Sequence, residues 1–504
     1  MVREQQAGLG QMASSRDDDL SVDDAEEPLL AGVVSHGSPT VVDVMRATPA
    51  LPSSEYPPIP TTALLMVYFT SFASSIQYAI LMPTVWEYVQ RCHGTKLILG
   101  VVLSSFSFTQ TLFFPVLGRW SDVRPMWHPF CASFALGVIG NTVYGAADVY
   151  KSIGVMLAGR LISGMGAANT GLVASYIARA APPEARTKLL GVNQMVIFVG
   201  ILCGPAMSVL VYNADVKLGG SVTLDRCTLA GYLMTLINAA LLLAFPIIFT
   251  EPSKPSQMAE AAGKSAMDRW RNSLRVVFLQ RKGWFNLCIT FIVAFEISAL
   301  EAALTPITTD QYSFNAKQNS FLFAGIAGVA LSAVVTAIVL DKQSWTTSRG
   351  IVAGGFGIMA ASFAVAFVLD GGRKVPFYGL VVFGVLFILG VMLLPASNMA
   401  VYSTKIGEYG KGLFMSYAQI MQGVARILGP LLAGASLHYA THYGLFVVLG
   451  AVFCLGPFCF SRAWDLFNTD EVWTNAEENG KLMVRDNVFN SSEVAGSPMR
   501  KSVK

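Results

Sequence analysis

Gly118-Arg119-Trp120-Ser121-Asp122-Val123-Arg124-Pro125 sets charged side chains, a Trp and a helix breaker between two long apolar runs, 97–118 and 128–147. Each run is long enough, at ~1.5 Å per residue, to cross most or all of a ~30 Å hydrocarbon core. The stretch is therefore expected to be a short interfacial loop joining two membrane helices, with Gly118 letting two helix ends approach closely. Outward from this loop the same kind of run recurs. Apolar segments fall at 63–82, 97–118, 128–147, 152–178, 188–211 and 229–249, then at 284–306, 319–340, 349–369, 376–397, 412–436 and 443–463. Twelve crossings put both termini on one side of the membrane.

Composition agrees with that count. The 504 residues are 53% hydrophobic and 13% charged, with 31 Phe, which is the balance of a polytopic membrane protein. A net charge of +3 gives no footprint for nucleic acid. The seven Cys lie mostly inside apolar runs without CxxC or Cys/His spacing, so no metal site is expected. Cys92 and Cys227 alone fall in loops or helix ends on one side, able to bridge or to remain free thiols. No nucleophile–base spacing or phosphate loop stands out, so neither a cofactor nor enzymatic activity is expected.

The chain divides into five parts. Residues 1–60, with Asp17-Asp18-Asp19, Asp23-Asp24 and a Pro-rich 49–60, cannot bury enough apolar surface to fold and read as a disordered cytoplasmic tail. Residues 61–250 and 284–465 are two six-helix bundles. Between them, 251–283 is a linker whose Trp270, Leu274, Val277 and Phe278 recur at helical spacing against Arg269, Arg271, Arg275 and Arg281, an amphipathic surface helix. Residues 466–504 form a second tail. With the tails cytoplasmic, sixteen Lys/Arg fall in cytoplasmic loops and eight in the opposite ones, a bias that supports this orientation.

Three motifs give the chain a family resemblance. Gly118, Asp122 and Arg124 resemble the loop between helices two and three of major facilitator superfamily transporters, although Pro125 replaces a further Gly. The resemblance implies that Asp122 and Arg124 help latch two rocking bundles. Arg160, followed by small residues at 164, 166, 167 and 168, resembles that family's helix-four motif. Gly200, Gly204 and Pro205 in run five, matched by Gly429 and Pro430 in run eleven, form an internal repeat suited to close packing and bending. The fold class so implied is all-α, with twelve transmembrane helices in two pseudo-repeated bundles.

A narrower resemblance rests on Gly118–Pro125, on Thr305–Asp310 after Glu301, and on Gly423–Pro430. It is to the lysosomal major facilitator proteins linked to neuronal ceroid lipofuscinosis. Vacuolar phosphate transporters that carry an SPX domain share some of this phrasing. An endolysosomal or vacuolar membrane is implied. Glu26, Leu29 and Leu30 resemble an acidic dileucine signal, with Glu26 three rather than four residues before Leu29, and imply clathrin adaptor complexes as partners.

Ionisable residues inside the apolar runs are the candidate machinery, because they are costly there unless they pair or line a polar path. Glu296 and Glu301 fall ~18 and ~25 Å along helix seven and ~140° apart around it, with Pro306 placed to bend the helix. Arg160 and Arg426 reach similar depths, compatible with an Arg–carboxylate pair across the halves. Glu301, then Glu296, is expected to carry a proton, and Arg160 or Arg426 to attract an anion, with Asp310 and Gln77 also on the path. The favoured function is a proton-coupled secondary transporter of a small anionic or polar organic solute. An anion channel on the same scaffold and a non-transporting scaffold are the competing readings.

Overall fold

The computed structural model describes residues 59–211, 216–217, 223–252, 281–341, 348–370, 376–405, 408–440, 442–462, 477–478 and 481–482. The dileucine-like Glu26, Leu29 and Leu30 lie outside the described residues. So does most of the 251–283 linker.

The first half begins with α1 (Thr61–Ala79), a one-turn break, and the short α2 (Val85–Arg91). It continues through α3 (Lys96–Val123), α4 (Trp127–Tyr150), α5 (Ile153–Ala167), α6 (Asn169–Ala180), α7 (Pro183–Val211) and α8 (Leu229–Ile248). The second half comprises α9 (Arg281–Tyr312), α10 (Ala316–Asp341), α11 (Ser348–Asp370), α12 (Phe377–Lys405), α13 (Glu408–Tyr439) and α14 (His442–Arg462). Two minute antiparallel ladders complete the described elements, β1 (Val216–Lys217) with β2 (Thr223–Leu224), and β3 (Glu477–Glu478) with β4 (Lys481–Leu482).

Eleven spans among the described residues are long and apolar enough to cross a membrane, with α5 and α6 together making one. The expected first crossing, α1, is not among them. Thr70, Ser71, Ser74, Ser75 and Gln77 lower its apolarity, and all five are buried inside the protein rather than turned to lipid. Proximal below denotes the end where α1 begins and α14 ends, and distal the opposite end.

Helix ends overrun the apolar limits. The stretch 118–123 is the last part of α3, not loop, and the turn starts only at Arg124, whose extended backbone precedes Pro125. A backbone ladder can continue where lipid gives way to headgroups and water, so hydropathy marks the membrane core rather than the helix end. Helix α9 likewise continues as helix past Pro306 to Tyr312. The fourth crossing is divided instead, at Ala168.

Apolar burial gives little drive for helix association within lipid, so close contact falls to small residues. A methyl group on Gly166 would sit 2.6 Å from the Ser133 carbonyl oxygen, and one on Gly159 would sit 2.5 Å from the Tyr144 nitrogen. The two Gly-Pro sites pack in equivalent places. Gly204 lies against Ala79 and Ile80 at the end of α1, and Gly200 against Phe72 and Ser75, whereas Gly429 lies against Phe295, Ser298 and Ala299 of α9. The first and seventh crossings are thus gripped alike by the fifth and eleventh.

The halves meet at the distal end. Lys96 pairs with Asp310 at 2.5 Å, the Thr305 hydroxyl donates to the Met82 carbonyl at 3.1 Å, Ser104 donates to the Ile427 carbonyl at 2.6 Å, and the Ser208 and Ser320 hydroxyls are 2.9 Å apart. Gly100 meets the Pro430 carbonyl, and Gly434 faces the Lys96 carbonyl and Gly100. Toward the proximal end a methyl group on Gly118 or Gly191 would meet no atom of the described residues within 4 Å. The close approach expected at Gly118 is therefore absent from this conformation.

Candidate functional site

Tyr78, at the distal end of α1, organises the centre of the molecule. Its hydroxyl donates to Glu301 Oε2 at 3.2 Å, joining the first half to α9. Its ring lies 6.0 Å from that of Phe106, and the Arg426 guanidinium sits 5.3 Å from its centre. On the first-half side Arg160 is 1% exposed and stacks 4.3 Å from the Phe106 ring. Two cations, two rings and one carboxylate therefore share the centre. The aromatic faces offer the guanidinium groups electrostatic contact in a dry setting.

The expected Arg–carboxylate pair across the halves is not formed between Arg160 and Glu301. All three Arg160 nitrogens are buried without a hydrogen-bond partner, and the link across the halves is the neutral phenol of Tyr78. Glu296 stands apart, fully buried with both carboxylate oxygens unpartnered. Gln77 is held within the first half, donating to the Ser163 carbonyl at 3.2 Å and accepting from Asn238 Nδ2 at 2.9 Å. Asp310 lies at the distal junction with Lys96, nine residues beyond Glu301 on α9.

The loop motif also closes differently from expectation. Asp122 pairs at 2.5 Å with Arg179 at the end of α6, and Arg179 also donates to the Ser121 carbonyl at 2.8 Å. Glu251 accepts from the Met126 backbone nitrogen at 2.7 Å. These contacts tie the proximal ends within the first half, while Arg124 is exposed. Cys92 and Cys227 are both buried free thiols.

A central recess lies between α1, α3, α6 and α7 of one half and α13 of the other. Tyr78 and Arg426 form its distal floor, and Gln110, Gln194, Gln419 and Gln422 contribute four amides to its walls. Among the described lining residues Arg426 carries the only charge. Glu301 does not line the recess but sits behind Tyr78. The glutamines were missed in the sequence, although Gln419, Gln422, Gly423 and Arg426 fall at i, i+3, i+4 and i+7, one face of a helix.

A family model described as Major Facilitator Superfamily matches residues 67–430. The chain belongs to the Major Facilitator Superfamily. Major facilitator superfamily domain-containing protein 8 of Xenopus laevis is 25% identical over 329 residues, 62% of this chain and 64% of that protein. An SPX domain-containing membrane protein of Arabidopsis thaliana is 26% identical over 204 residues, 40% of this chain and 29% of its own length. The matched region thus spans less than two thirds of either relative. Among solved structures, a bacterial homologue of the human lysosomal transporter Spinster, inward-facing and unoccupied, superposes with a TM-score of 0.64 at 14% identity, covering 82% of this chain and 99% of that one. At that identity the likeness speaks for the fold. Together these make the protein a multi-pass membrane protein with the major facilitator fold.

Proposed function

We propose that this transporter moves a small anionic or polar organic solute across an endolysosomal or vacuolar membrane by alternating access, coupled to protons. The observation that carries the reading is the recess, closed distally by Tyr78 and Arg426 and backed by Glu301. An ionised Glu301 can only accept the Tyr78 hydrogen bond, and a protonated one has an O–H of its own to donate. Proton arrival therefore changes the tie between α1 and α9. An anion seated at Arg426 sits against the same Tyr78, so cargo and proton act on one phenol from opposite sides. Arg160, buried without a partner, is a second cation that an anion could approach when the distal end opens. Support for the membrane comes from the resemblance of Gly118–Pro125, Thr305–Asp310 and Gly423–Pro430 to lysosomal major facilitator proteins. The dileucine-like signal Glu26, Leu29 and Leu30, with an adaptor complex as its partner, and cytoplasmic termini complete the reading.

The test is electrical. Purified protein in liposomes, given a pH gradient and a panel of anions, should produce a saturable proton-dependent current that Glu301→Gln abolishes. A non-saturating anion current that survives Glu301→Gln would replace the carrier with a channel.

A further inference from the structure

From the make-up of the recess we infer that the cargo is a monoanion bearing several hydroxyl groups, a carboxylate attached to a short polyol. The inference rests on the transporter reading and names its substrate class. Arg426 supplies one planar fork of donors, matched to a single carboxylate or phosphate. With no second cation among the described lining residues, a dianionic cargo would keep a charge uncompensated at the recess. A cation would face the same guanidinium with no acidic partner among the described lining residues.

The rest of the recess reads hydroxyls rather than charge. A glutamine amide both donates and accepts, and so does a hydroxyl, so a ring of amides suits a ligand whose polar atoms have both capacities. Gln419, Gln422 and Arg426 descend one face of α13 toward the floor, placing two amides successively farther from the charged end. Gln194 and Gln110 face them from the other half, and Gln110 is steadied by donating to the Ala167 carbonyl at 3.1 Å. An anion without hydroxyls would offer Gln194, Gln419 and Gln422 no partner as it displaced water from them. An uncharged sugar would leave Arg426 so.

Binding to the full-length protein in lipid nanodiscs should be measured for gluconate, glycerate, glucose and butyrate, in parallel with proton-driven uptake in liposomes. We expect gluconate or glycerate to bind at least about tenfold more tightly than both glucose and butyrate, and the better of the two tells the length of the polyol. Arg426→Gln should abolish that binding, and Gln422→Leu should shrink the margin over butyrate. Gln422→Asn, which keeps the amide but shortens its reach, serves the same purpose if the leucine variant fails to fold. Butyrate or glucose binding as tightly as the polyol anions, no binding of either polyol anion, or a margin unmoved by both Gln422 variants overturns the inference. Proton-driven uptake of an anion without hydroxyls would leave the carrier standing and overturn the substrate class. Tight polyol-anion binding without uptake would do the reverse.

Discussion

Asp225, just before α8, shows how the distal surface of the first half is fastened. One carboxylate oxygen accepts from the backbone nitrogens of Cys227 and Thr228, each at 3.1 Å, and the other pairs with Arg91. Arg91 also reaches Glu87 at 2.8 Å, and Glu87 in turn accepts from Arg226. Burial alone would push the Asp225 carboxyl upward, but Arg91 and the backbone donors outweigh it and hold it below the usual aspartate range. A carboxylate depressed on folding stabilises above its unfolded value, ~3.9, and loses that contribution as pH falls through the folded value. The stability advantage of wild type over Asp225→Asn should stay constant from pH 7 to about 5 and close only in stronger acid, as melting curves in detergent would show. At this scale Glu301 and Arg426 stood out in the sequence because charges inside apolar runs are rare. The link of Tyr78 to both was not legible, since 223 residues separate it from Glu301 and nothing local joins the two.

Helices α3 and α7 carry glycines of two opposite kinds. Gly204 is pressed against Ala79, and a methyl group there would lie 2.7 Å from its Cβ. Gly118 faces open space. Gly204→Val should destabilise the protein by about 1–3 kcal/mol through overpacking. Gly118→Ala should leave it as stable or raise stability by up to about 1 kcal/mol, because alanine suits a helix better. Transport should nevertheless fall in Gly118→Ala if the proximal ends close on that surface during the cycle. Melting temperature and uptake measured on both variants separate packing from movement. The order of the crossings was legible because the bilayer fixes a length, and eleven of the twelve expected runs meet it among the described residues. The helical continuation through 118–123 was not, because hydropathy falls silent where the lipid core ends.

For the molecule as a whole, the present conformation is distally shut with a recess on the proximal side of Tyr78. No pattern in the sequence could tell which end is closed, since alternating access requires that both closures be encoded. Cysteines replacing both Ser208 and Ser320, whose hydroxyls lie 2.9 Å apart, should bridge across the halves on oxidation. Uptake should stop when the pair is oxidised and return with reductant, while neither single variant responds. Persistent uptake in the oxidised double variant would mean that the distal junction does not open during transport.

The meeting of Gly100 with the Pro430 carbonyl, and of Gly434 with that of Lys96, brings main chain against main chain. Such a junction holds no rotamer that could swing aside, so it parts only when two whole helices separate. The barrier then behaves as a bolt rather than a valve. Between turnovers it should add no flicker to the electrical baseline, and a membrane crowded with idle copies should remain as resistive as bare lipid.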